Sequence, residues 1–91
     1  MFSITMGKGF QIIFENGWTA SVQFGGGNYA DNRYTEIGWD KKEYSFVESK
    51  TAEIAAYKNK KWHRFDSDDV KGYCTPAKVL EFLNVVAAKN E

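Results

Sequence analysis

Ninety-one residues suit one domain, because a single hydrophobic core serves chains of up to about 250 residues, and residues 1–91 are read as that domain. Twelve Lys and Arg balance twelve Asp and Glu, so the formal net charge is zero, which argues against a dedicated nucleic-acid or polyanion binder. With 43% hydrophobic, 16% aromatic and 26% charged residues, the composition is globular rather than disordered and leaves only local charged patches to act as sites.

Phe2, Ile4 and Met6 alternate with Ser3 and Thr5, and Gly7-Lys8-Gly9 either turns the chain back or kinks a longer strand. Phe10-Gln11-Ile12-Ile13-Phe14 and Trp18-Thr19-Ala20-Ser21-Val22-Gln23-Phe24 also alternate, with Glu15-Asn16-Gly17 as turn chemistry between them. A two-residue loop would oppose Phe14 to Thr19 and Ile12 to Ser21, mixing apolar with polar. A bulged three-residue loop with Gly17 left-handed opposes Phe14 to Trp18, Ile12 to Ala20 and Phe10 to Val22, so one face is apolar throughout, and this register is expected. Residues 25–32 read as a loop. Tyr34–Trp39 and Tyr44–Val47 read as short strands joined by Asp40-Lys41-Lys42-Glu43.

Thr51–Tyr57 carries both helical and strand signals, with strand preferred because a turn at Asn59-Lys60 would set Tyr57 against Trp62 and Ile54 against Phe65. The acidic run Asp66-Ser67-Asp68-Asp69 ends that hairpin. Thr75 and Pro76 form a good helix start, with Cys74 and Val79 placed for a hydrophobic staple. Val79, Leu80, Leu83, Val86 and Ala87, widened by Phe82, make the expected buried stripe, and Lys89 is expected to complement the helix dipole. The predicted fold is α+β: an antiparallel sheet of about four to six strands from two hairpins, with one C-terminal helix on a face. The N-terminal residues do not read as a secretory signal, and no apolar run approaches the about 20 residues needed to span a bilayer, so a cytoplasmic protein without membrane contact is expected.

Two segments stand out as candidate sites. In the first, Gly25, Gly26, Gly27, Asn28, Tyr29, Asn32, Arg33 and Tyr34 combine backbone that can approach an anion with rings, amides and a guanidinium, the usual companions of a bound base and phosphate. In the second, Tyr57, Lys58, Lys60, Lys61, Trp62, His63 and Arg64 interleave cations with aromatics, as a partner or weak nucleic-acid contact would. Both also fit plainer roles, as a bent connector and as a solvated hairpin tip whose lysines protect an edge. Cys74 is the only cysteine, expected as a small hydrophobe without a His or basic residue beside it, and His63 has no paired nucleophile or second ligand nearby. Asp66, Asp68 and Asp69 lack the Gly and Glu offsets of a calcium loop. Glu36, Glu43 and Glu48 say nothing about catalysis without geometry. No catalytic residue, metal or cofactor is therefore assigned, and a non-enzymatic role is expected.

The stretches Gly7-Lys8-Gly9-Phe10, Phe14-Glu15-Asn16-Gly17-Trp18-Thr19, Ser21-Val22-Gln23-Phe24, Gly27-Asn28-Tyr29, Ala52-Glu53-Ile54-Ala55 and Gly72-Tyr73-Cys74-Thr75-Pro76 carry a resemblance that spans most of the chain. On them, the chain resembles small proteins of bacteriophages and mobile elements. The resemblance assigns no site residue. It implies an accessory factor that blunts host defence, acting on a host protein or, in the alternative, sequestering a nucleotide signal through the Gly25–Tyr34 loop. Nucleic acid is the weaker third partner. A homo-oligomer would double the polar groups that a two-fold interface offers a ligand.

Overall fold

Alternation in the first 24 residues produces an antiparallel meander in the computed structural model, which describes residues 1–5, 8–34 and 48–91. Strand β1 (Phe2–Thr5) pairs with β2 (Gly9–Ile13), so the chain turns back through Lys8 rather than continuing as one kinked strand. Strand β3 (Thr19–Gln23) pairs Ala20 with Ile12 and Val22 with Phe10, and the amide of Phe14 donates to the Trp18 carbonyl at 2.9 Å. Gly17 sits at φ 87°, where a Cβ would be strained, so the bulged turn and its register are as the apolar pattern requires.

Thr51–Tyr57 resolves as strand: β4 (Ala52–Lys58) lies beside β3, with Val22 opposite Ile54 and Ala20 opposite Ala56. The alanines favour helix locally, but between β3 and its other neighbours they sit where small side chains allow close packing, and tertiary context prevails. Strand β5 (Lys61–Trp62) returns through Asn59-Lys60 and sets Trp62 against Tyr57, as expected. The expected Ile54–Phe65 pair does not form. Phe65 instead closes a tight turn with Asp68, and Ile54 is opposed by Lys71 of β6 (Lys71–Cys74), a strand that the sequence pattern did not reveal. The sheet thus runs β1-β2-β3-β4-β5, with β6 also on β4. The expected strands at Tyr34–Trp39 and Tyr44–Val47 fall, from residue 35 onward, outside the described residues, as do Glu36 and Glu43; Tyr34 lies in a turn.

Helix α1 (Pro76–Ala87) starts as read, with the Thr75 hydroxyl accepting from the Lys78 amide and Pro76 in the first turn. It packs on β3, β4 and β6, closing a core of Trp18, Ala20, Val22, Ile54, Ala56, Cys74, Phe82 and Val86, with Val79 and Leu83 half-buried beside it. Two members of the expected stripe are corrected: Leu80 is 62% exposed and Ala87 is also on the solvent side, because the helix is rolled towards Phe82 and Val86. Lys89 is corrected too. It lies beyond the helix, its ammonium 4.7 Å from the centre of the Trp18 ring. The last turn is satisfied instead from the first hairpin: the Asn16 amide nitrogen donates to the carbonyls of Val86, Ala87 and Lys89 at 2.9, 3.3 and 3.1 Å. The Asn16 Oδ1 accepts from the Trp18 amide at 3.0 Å, and the Trp18 indole donates to the Glu91 carbonyl at 2.9 Å.

Candidate functional site

The loop after β3 is rich in glycine yet tightly built. Gly25 and Gly27 take positive φ (76° and 87°), and side chains bind the resulting bends: Asn28 donates to the Phe24 carbonyl at 2.7 Å, and Asn32 Oδ1 accepts from the Gly25 amide at 2.8 Å. Asn32 also reaches the Glu48 carbonyl at 3.2 Å. Strand β4 anchors the far side. The Glu53 carboxylate accepts from the Tyr29 amide at 2.7 Å, while Thr51 Oγ1 accepts from the Asp31 amide and donates to the Asp31 carboxylate, both at 2.9 Å.

This frame presents Arg33. Its guanidinium carbon lies 5.2 Å from the centre of the Tyr29 ring and 5.2 Å from that of Tyr34, within cation–π range of each, and an N–H donates to the Tyr73 phenol oxygen at 3.2 Å. Hydrogen bonding to Tyr73 pushes the guanidinium pKa up from its ordinary value, with the field of the same phenol adding to it. Among the described residues Arg33 makes no ion pair with a carboxylate. Tyr29, Tyr34 and Tyr73 are 48, 89 and 49% exposed, a large aromatic surface for so small a chain.

Tyr73 is the site residue that sequence reasoning missed. It comes from β6, 40 residues from Arg33, and its backbone is left-handed at φ 56°, uncommon for a bulky residue. Its amide donates to the Tyr29 carbonyl at 2.8 Å, which ties β6 to the loop. The available signal was Gly72 before it: a Cβ there would meet the Tyr29 Cβ at 2.4 Å, so only glycine lets the two segments meet.

Most of the loop amides are already engaged. The amides of Gly25, Asn28, Tyr29, Ala30, Asp31 and Arg33 all donate within the protein. Of the eight loop residues singled out from sequence, Tyr29, Arg33 and Tyr34 form the exposed cluster, Gly25, Asn28 and Asn32 build its frame, and Gly26 accepts from Lys8 Nζ at 3.2 Å.

In the second segment, three of the four Lys and Arg side chains read as a basic stripe are engaged with acceptors. Lys58 Nζ donates to the Glu91 carbonyl at 3.0 Å, Lys61 pairs with the Glu91 carboxylate at 3.5 Å, and Arg64 binds Asp69 at 2.7 Å and the Ser67 carbonyl at 2.9 Å. Lys60 lies in the exposed turn, and Trp62 packs on Tyr57 with ring centres 5.1 Å apart and the planes tilted by 42°. Arg64 thus ties the hairpin to the acidic run, while Lys58 and Lys61 are held by Glu91.

His63 turns inward, between Phe65 and Phe82 at 4.8 and 5.5 Å. It lines a cleft of about 190 Å³ with Ile54, Phe65, Lys71, Cys74 and Lys78. The sequence placed no His or cation beside Cys74, and the structure corrects that. Burial nonetheless pushes the Cys74 thiol up despite Lys71 and Lys78, which opposes the thiolate that nucleophilic chemistry needs. Burial pulls the His63 imidazole below 6.5, helped by Lys89 and opposed by Glu91. A proton therefore binds the unfolded chain more readily: stability from this group is full above pH 6.5 and declines as pH falls from 6.5 through the lower folded value. Urea unfolding at pH 7.5 and 5.5 should show a loss at the lower pH that His63→Gln reduces; an unchanged difference would assign it elsewhere.

Among the described residues no group of three or more His, Cys, Asp or Glu is placed to hold a metal ion, and no helix is long and apolar enough to cross a membrane. No protein-family model, curated protein sequence or solved structure matches the chain.

Proposed function

We propose that the chain is a non-enzymatic binding protein that occupies a surface of a host protein, with Arg33 and the tyrosines Tyr29, Tyr34 and Tyr73 as its contact. The carrying observation is an exposed guanidinium flanked by two rings and bonded to a third, on a loop fastened to two strands. Tyrosine and arginine dominate protein-binding hot spots because they offer large area and donors at low entropic cost, and a loop already ordered loses little more on docking. The cluster projects outward, whereas a protein that sequesters a nucleotide needs an enclosing cleft and free amides. The bonds already made by the loop amides weigh against that alternative. The resemblance to phage and mobile-element proteins supplies the context of a counter-defence factor.

Affinity capture from bacterial lysate tests this reading. The wild-type chain is expected to retain a saturable protein partner, and Arg33→Ala and Tyr34→Ala to weaken it about 30-fold, the scale of a 2 kcal/mol hot spot. Absence of a partner, or full retention by Arg33→Ala, would overturn the proposal. A thermal shift with nucleotides that Arg33→Ala abolishes would move the assignment to the sequestering role.

A further inference from the structure

At the far side of the sheet from Tyr73, strand β1 leaves a main-chain edge unpaired among the described residues. Met1 and Ile13 exchange hydrogen bonds in both directions, at 2.8 and 3.1 Å, which fixes the alternation along the β1–β2 ladder. Met1, Ser3 and Thr5 direct their amides and carbonyls towards β2, so those of Phe2 and Ile4 point outward. The same two residues carry the apolar side chains, 71 and 69% exposed, on the sheet face that holds Phe10 and Val22. Helix α1 covers that face over β3, β4 and β6 but does not extend over β1. The edge Phe2-Ser3-Ile4-Thr5 has no charge, proline or bulge, the devices that keep an exposed strand from pairing.

We infer that β1 is a homodimer interface at which two copies pair antiparallel across a two-fold axis beside Ser3. Phe2 of one protomer then lies opposite Ile4 of its partner, and each such pair exchanges two main-chain hydrogen bonds through the outward groups. Shifting the register by one residue would bring inward-facing amides to the contact, so parity favours this pairing. Phe2 and Ile4 of both copies meet on one face, extending the apolar strip begun by the Phe2–Phe10 ring contact at 6.4 Å. A second copy is the fitting occupant because the strand is self-complementary, as an isologous contact requires, and none of the side chains from Phe2 to Thr5 carries a charge for a charged partner to read. Area sets the strength. Phe2 and Ile4, at 71 and 69% exposure, present roughly 300 Å² of apolar surface per chain, less than half of what a stable interface buries per partner. The contact is therefore a weak, reversible one.

Sedimentation equilibrium of the full chain from about 1 to 500 µM should show a mass rising from 10.4 kDa towards twice that value, and Ile4→Lys should hold it at the monomer with circular dichroism unchanged. Ser3→Cys supplies the geometric readout. Facing residues of a non-hydrogen-bonded antiparallel pair lie about 4.5 Å apart at Cα, within disulfide range, so diamide should give a covalent dimer. The native Cys74 is buried, so the wild-type chain is the blank. A monomer at every concentration, association that survives Ile4→Lys, or failure of Ser3→Cys to cross-link would each overturn the inference.

Discussion

Trp18→Ala is expected to cost about 4 kcal/mol of folding stability and to lower Tm by about 20 °C. Trp18 is fully buried at the junction of the first hairpin, β4 and the chain after the helix. Truncation leaves a cavity the size of an indole and removes the donor to the Glu91 carbonyl and the ring beneath Lys89. A domain of this size has a total stability of only about 5–15 kcal/mol, so the variant should be close to unfolding at physiological temperature. Trp18→Phe separates the parts: it keeps much of the apolar volume and loses the indole bond, for about 1–2 kcal/mol. Urea unfolding followed by far-ultraviolet circular dichroism measures both. A loss below about 1.5 kcal/mol for Trp18→Ala would mean that the surrounding core collapses into the space.

Gly72→Ala should disable the candidate site. The added methyl would overlap the Tyr29 Cβ and crowd the Tyr29 carbonyl, at 2.4 and 3.0 Å, and neither atom is the free end of a flexible chain. Relief requires β6 and the loop to separate, which breaks the Tyr73 amide bond to Tyr29 and withdraws the phenol from Arg33. The expected cost is about 2–3 kcal/mol in stability, together with loss of the partner captured through Arg33. Nuclear Overhauser contacts between the Tyr29 and Tyr73 rings, whose centres lie 6.5 Å apart, should vanish while those of the Phe14–Trp18 turn persist. Retention of the ring contacts would show that the loop yields without parting from β6.

What could be read from the sequence followed a simple physical divide. The bulged hairpin, the Tyr57–Trp62 pair and the Thr75–Pro76 helix start are set by residues within a few positions of one another, and each emerged with its expected partners. Strand β6 did not. Lys71-Gly72-Tyr73-Cys74 has no apolar alternation, because one of its positions is a close approach and another is left-handed, and its pairing with β4 is irregular. The roll of the helix was hidden for a related reason. Leu80 and Phe82 both fit a helical stripe, and only the shape of the sheet beneath decides which of them is covered. In the candidate site, Tyr29, Arg33 and Tyr34 are neighbours in sequence and could be picked out as companions, whereas Tyr73 joins them only through the fold.

The hold of Asn16 on the end of the helix also bears on how the chain folds. Its three carbonyl partners lie 70, 71 and 73 residues away, and the indole bond of Trp18 spans 73. Local turns can close in about a microsecond, but these bonds require the first hairpin to meet the last residues, a closure whose entropic cost precedes any gain from the contact. The transition state is thus expected to contain the meander and β4 before the helix docks. Asn16→Asp, which keeps the Oδ1 acceptor of the Trp18 amide and loses the donor to the helix end, should then mainly accelerate unfolding and leave the folding rate nearly unchanged.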